Sequence, residues 1–121
     1  MFPITTKLSG VTFSDAQANV RTFGCEDIGS YELVREPDNP HDPNAIKVQV
    51  AGHFLGYVPS KIARWVAPLI DEGKKLRAEF VRRNESPYHE TVGLTVRIVE
   101  VVGPGTAGAI RSLGGERRDL T

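Results

Sequence analysis

The sequence predicts a mainly β protein of about six short strands, folded as a small, strongly bent antiparallel barrel or sandwich with one well-defined helix and one short one. Three observations predict it. Runs rich in Val, Ile, Thr and Tyr, each only long enough for a strand, recur from Ile4 to Val102. Clusters of Gly, Pro, Asn and Asp separate them. Only one stretch, Pro59 to Glu72, shows a sustained helical apolar period. At 121 residues the chain fits one domain. Residues 1–102 carry the patterning. Residues 103–121, rich in Gly and small residues with a charged end, read as a flexible C-terminal tail.

In chain order, Ile4–Phe13 suits a strand with a bend at Gly10. Ser14 can cap a short helix through Arg21 in which Ala16 and Val20 share a face, and Gly24 can end it. Tyr31–Arg35 reads as a second strand. In Ala45–Val50, Ile46, Val48 and Val50 share one face and Lys47 and Gln49 the other. Ala51-Gly52-His53 is a hairpin turn, and Phe54–Val58 returns with Gly56 at a bulge or close approach. In the long helix, Ile62, Trp65, Val66, Leu69 and Ile70 fall on one apolar face, and Pro68 predicts a kink or restart. Leu76–Arg83 and Thr91–Val102 are two long strands. Together these place Ile46, Val48, Trp65, Leu69, Leu94 and Val96 in one core.

Between the second and third strands, Pro37, Pro40 and Pro43 recur every third residue, each fixing its own φ and restricting the residue before it. The loop is stiff. Asp38, Asn39, Asp42 and Asn44 can bond their side chains back to nearby backbone N–H groups. The same four residues offer oxygens to a calcium ion, but the EF-hand ligand order is missing and no bidentate Glu follows, so no metal or other cofactor is expected.

Net charge is zero, unlike proteins that coat nucleic acid through a basic excess. Acids gather in Glu26–Asp42, opposed only by Arg35, while Pro59–Arg83 holds Lys61, Arg64, Lys74, Lys75, Arg77, Arg82 and Arg83, so one face can be basic. The single cysteine, Cys25, cannot form an internal disulfide. No apolar run is long enough to span a bilayer and no signal peptide is evident, which predicts a cytoplasmic protein with no membrane partner. Gly103–Gly108 lacks the Lys-Ser/Thr of a phosphate loop, and His41 beside Asp42 has no nucleophile to activate, so no enzyme is expected.

The run Arg-Glu-Pro-Asp-Asn-Pro-x-Asp-x-Asn-Ala-Ile-x-Val from Arg35 to Val48, followed by Gly56-Tyr57-Val58-Pro59, resembles the HIRAN domain over nearly the whole chain, from about Ile4 to Val102. That family occurs as a module on fork-remodelling helicase-like ATPases and as free-standing bacterial proteins. The resemblance implies an OB-like barrel. Such barrels bind single strands by a basic groove with stacking rings, which makes Tyr57 and Tyr88 candidate rings and Lys7, Lys61 and Arg64 candidate phosphate ligands. It further implies a pocket for the free 3′-hydroxyl end of single-stranded DNA. There Asp42 would accept the bond from the terminal hydroxyl. His41 stands where the family has a tyrosine that packs on the terminal nucleotide. Tyr57 takes the place of a polar or aromatic pocket residue, and Ser60 or Lys61 that of a basic phosphate ligand. Thr6 and Lys7 replace the family's Arg-aromatic pair. The implied function is single-stranded DNA binding by a non-catalytic module in DNA repair or replication-fork processing, alongside a helicase or nuclease partner. The competing reading is a protein-interaction domain that keeps the barrel without the DNA pocket.

Overall fold

The alternating stretches form six strands, and the two helical periods form helices. In a computed structural model, which describes residues 1–101, the order is β1 (Ile4–Lys7), α1 (Ala16–Phe23), β2 (Ser30–Arg35), β3 (Ile46–Val50), β4 (His53–Tyr57), α2 (Ser60–Asp71), β5 (Leu76–Ser86) and β6 (His89–Glu100). The expected tail lies outside the described residues. All strand pairs are antiparallel, in the order β1-β6-β5-β2-β3-β4. Register shifts in β3/β4 and twice in β5/β6 bend the sheet. It curls until the chain just beyond β1 meets the end of β4: Ser9 and Tyr57 exchange two backbone hydrogen bonds of 2.8 Å. The result is a mainly β, OB-like curled half-barrel with two helices.

The strand-one expectation overran. Regular pairing stops at Lys7, because Gly10 takes a φ of +65° and turns the chain away. Ser14 also has positive φ, so it does not cap α1; Asp15 stands at that position without a side-chain cap bond. α1 is instead tied down by its polar residues. Gln17 donates to the carbonyls of Val11 and Val92 and accepts from the Val92 N–H, and Asn19 donates to the Phe54 carbonyl.

Inside the curl, Ile46, Val48, Leu94 and Val96 are fully buried, as expected, together with Leu55 and Ile98. Trp65 is not part of that core. It is 60% exposed, and Leu69 is only partly buried. The buried face of α2 is Ala63, Val66 and Ala67, flanked by Ile62 and Ile70. Two alanines let the helix backbone approach closely, and at 3.6 residues per turn a face centred between Ala63 and Ala67 turns Trp65 outward. Nor does α2 restart at Pro68. That residue is exposed, so the Arg64 carbonyl it leaves unbonded lies on the solvent side.

The seam needs a glycine. Gly56 has a φ of +152°, and a Cβ there would sit 2.8 Å from the Ser9 carbonyl oxygen. Gly56→Ala should therefore lower stability by about 1–3 kcal/mol in chemical denaturation. An unchanged midpoint would show that the seam opens freely.

Candidate functional site

The loop between β2 and β3 is built by its own side chains. Asn39 Oδ1 accepts the N–H of His41 at 2.8 Å and of Asp42 at 3.1 Å, and Asp42 Oδ1 accepts the N–H of Asn44 at 2.8 Å. The base of the loop is closed by backbone bonds from Glu36 N to Ala45 O and from Ala45 N to Asp42 O, both 3.0 Å. Arg35 fixes it from below, donating to the carbonyls of Ala45 and Pro43 while its guanidinium forms a two-pronged ion pair with Asp71 at the end of α2, at 2.9 and 3.1 Å.

Glu36 joins this loop to the seam. Its Oε1 accepts the Tyr57 hydroxyl at 2.8 Å and the Asn39 amide at 3.0 Å, and Lys47 lies 3.8 Å from its Oε2. Burial raises the Tyr57 phenol above its ordinary pKa, and the bond to Glu36 and that residue's charge raise it further.

Loop and seam enclose an open groove of about 1100 Å³. One wall is the loop from Glu36 to Asp42. The other is Ser9, Gly10, Phe13 and Tyr57, and the floor leads through Pro59 to Ser60 and Lys61 at the start of α2. Asp42 Oδ2 has no protein donor among the described residues. The first N–H groups of α2 lack a side-chain cap and no acid stands in its first turn, so its positive end is open beside Lys61. The groove can thus offer a fixed carboxylate oxygen, a cation and an apolar wall.

Of the sequence-predicted residues, His41, Asp42, Tyr57, Ser60 and Lys61 line this groove. Lys7, exposed at the end of β1, does not, nor does Arg64 on the outward face of α2. Tyr88 is 88% exposed in the turn between β5 and β6, also outside it. Sequence reasoning missed Phe13, which is 64% exposed on the groove wall with its ring edge-on to Phe54 at 6.2 Å, while Phe54 meets Tyr57 at 5.2 Å. Its one signal was a large apolar residue between Thr12 and Ser14, assigned to a strand that ends earlier. Among the described residues no three His, Cys, Asp or Glu side chains converge as a metal site would require.

A bent antiparallel half-barrel with an open groove at its seam defines a protein of the OB-like class. The HIRAN domain model matches residues 7–100, and the chain belongs to that family. Among curated proteins it is similar to the Fanconi-associated nuclease 1 homolog of Oryza sativa subsp. japonica, 48% identical over 46 residues, which cover 35% of this chain and 5% of that protein. The Arabidopsis thaliana homolog is 41% identical over 71 residues, covering 57% of this chain and 7% of that protein. The chain therefore matches only a small part of either relative. Among solved structures, a Lactobacillus plantarum protein shares the fold with a TM-score of 0.59 at 24% identity, over 80% of this chain and 94% of that one. The HIRAN domain of human HLTF does so with a TM-score of 0.57 at 17% identity, over 81% and 74%.

The link between Glu36 and Tyr57 is open to titration. Its neutral phenol is favoured by folding, so the stability it contributes is full below pH ~10 and is lost as pH rises through the elevated pKa. Glu36→Gln keeps an acceptor but removes the charge. The Tyr57 pKa, followed by ring chemical shifts, should then fall towards the ordinary value while burial keeps it above. No movement would mean that Glu36 does not hold the phenol in solution.

Proposed function

We propose that the groove binds the free 3′-hydroxyl end of single-stranded DNA, and that the protein is a non-catalytic module acting with a helicase or nuclease in DNA repair or replication-fork processing. The observation that carries this reading is the unpartnered Oδ2 of Asp42, held on a stiff loop in the groove wall. An ionised carboxylate only accepts, so it suits a hydroxyl and repels a phosphate. The acids of the groove favour an end over mid-strand DNA: Asp38 and Asp42 face it with Lys61 as the cation that has no acidic partner among the described residues. Lys61 and the open end of α2 suit the one phosphate beside the terminal sugar. Phe13 and His41 offer rings to the terminal nucleotide. Family membership supports DNA as the ligand, and the names of the plant relatives support a nuclease setting.

Asp42 has two jobs, one for each oxygen, and they are separable. Asp42→Asn keeps an oxygen for the Asn44 N–H but turns an amide donor towards the ligand. It should hold the melting temperature near that of wild type and lose the preference for a 3′-hydroxyl over a 3′-phosphate, a preference of about 1–3 kcal/mol in wild type. Asp42→Ala should lose both that preference and about 1 kcal/mol of stability. Equal wild-type affinity for hydroxyl-ended, phosphate-ended and circular strands, measured by fluorescence anisotropy, would reject end binding.

Few phosphates are met in such a groove, so the salt dependence should be shallow. Each neutralised phosphate of a single strand contributes a slope of about −0.7 in log K against log salt, and Lys61→Ala should remove about one such increment. A steep slope, or one that Lys61→Ala leaves unchanged, would place the DNA elsewhere.

A further inference from the structure

Trp65, the single tryptophan of the chain, lies outward on α2 at 60% exposure, where it fills no part of the core. The Arg64 guanidinium carbon sits 5.3 Å from its ring centroid, a cation–π contact that steadies the indole. Lys61 precedes them at i−3 and i−4, on the same exposed side of the helix, and it also lines the groove. Among the described residues neither Lys61 nor Arg64 has a carboxylate within 4.0 Å. A positive stripe ending in an aromatic ring therefore runs out of the groove.

We infer that this stripe is a second nucleotide subsite, in which a base of the strand leaving the groove stacks on Trp65 while Lys61 and Arg64 meet the intervening phosphates. The inference rests on the groove receiving a single-stranded end. Lys61 to Trp65 is four residues, ~6 Å along the helix axis at 1.5 Å per residue. An extended strand covers that in one or two nucleotides, given ~3.4 Å for each stacked nucleotide. Charge complementarity points to a polyanion as the occupant, and a flat aromatic ring suits a base whatever its sequence. The subsite is short. Glu72, the residue that follows α2 at its far end, carries a negative charge that repels a backbone continuing along the helix.

The test uses the intrinsic fluorescence of Trp65 and two thymidine oligonucleotides with free 3′-hydroxyls, a dinucleotide that fills only the groove and an octanucleotide that reaches α2. The octanucleotide should quench Trp65 and bind on the order of tenfold tighter than the dinucleotide. Trp65→Ala should abolish that length advantage without altering dinucleotide affinity, and Trp65→Phe should restore part of it. Because Trp65 is outside the core, both variants should keep the wild-type melting temperature within a few degrees. Octanucleotide binding that is sensitive to Asp42→Asn yet leaves Trp65 unquenched, with the length advantage intact in Trp65→Ala, overturns the subsite and leaves the groove standing. Failure of both oligonucleotides to bind overturns the groove and the subsite together.

Discussion

Two backbone hydrogen bonds between Ser9 and Tyr57 turn a bent sheet into a half-barrel, and the site depends on them. Strand pairing alone would leave β4 as an open edge, with unpaired groups available to any extended chain. Closure removes part of that edge and brings Gly10 and Phe13 opposite the proline loop. It demands a residue without a Cβ at Gly56, since a side chain there would meet the Ser9 carbonyl. Sequence, fold and groove meet at this glycine.

From the seam, order passes to the loop through side chains. Tyr57 donates to Glu36, Glu36 holds Asn39, and Asn39 collects the N–H groups of His41 and Asp42. Arg35 secures the other side by bonding two loop carbonyls and Asp71 of α2. Asn39 and one oxygen of Asp42 are thus spent on the loop's own shape, while the second oxygen of Asp42, like the carboxylate of Asp38, has no donor among the described residues and faces the groove free to accept. Holding that oxygen in place before a ligand arrives spares the ordering cost that a mobile loop would incur on binding.

Much of this was legible in the residues. Six strands, two helices, the bulge near Gly56 and the self-bonded loop follow from alternation, turn chemistry and proline spacing. The core residues of β3 and β6 follow from their two-residue period. Trp65 was misplaced because a five-residue apolar set on α2 can be centred on either side of Val66, and hydrophobicity favours the bulky choice. The sheet instead selected the alanine side, where the backbone can come close. Phe13 was hidden for another reason. Its role arises from the turn at Gly10 and from seam closure, both contacts between distant parts of the chain that local pattern does not encode. The same limit applies to Arg35 and Asp71, whose pairing across 36 positions joins loop to helix.

The most direct measurement of whether the groove is the binding site is an amide chemical-shift titration of the isotopically labelled protein with a short single-stranded oligonucleotide carrying a free 3′-hydroxyl. A groove that binds this end predicts the largest shifts at Gly10, Phe13, His41, Asp42, Asn44 and Lys61, residues contributed by three separate segments. Shifts centred instead on the turn around Tyr88, or no shifts at saturating oligonucleotide, would contradict it.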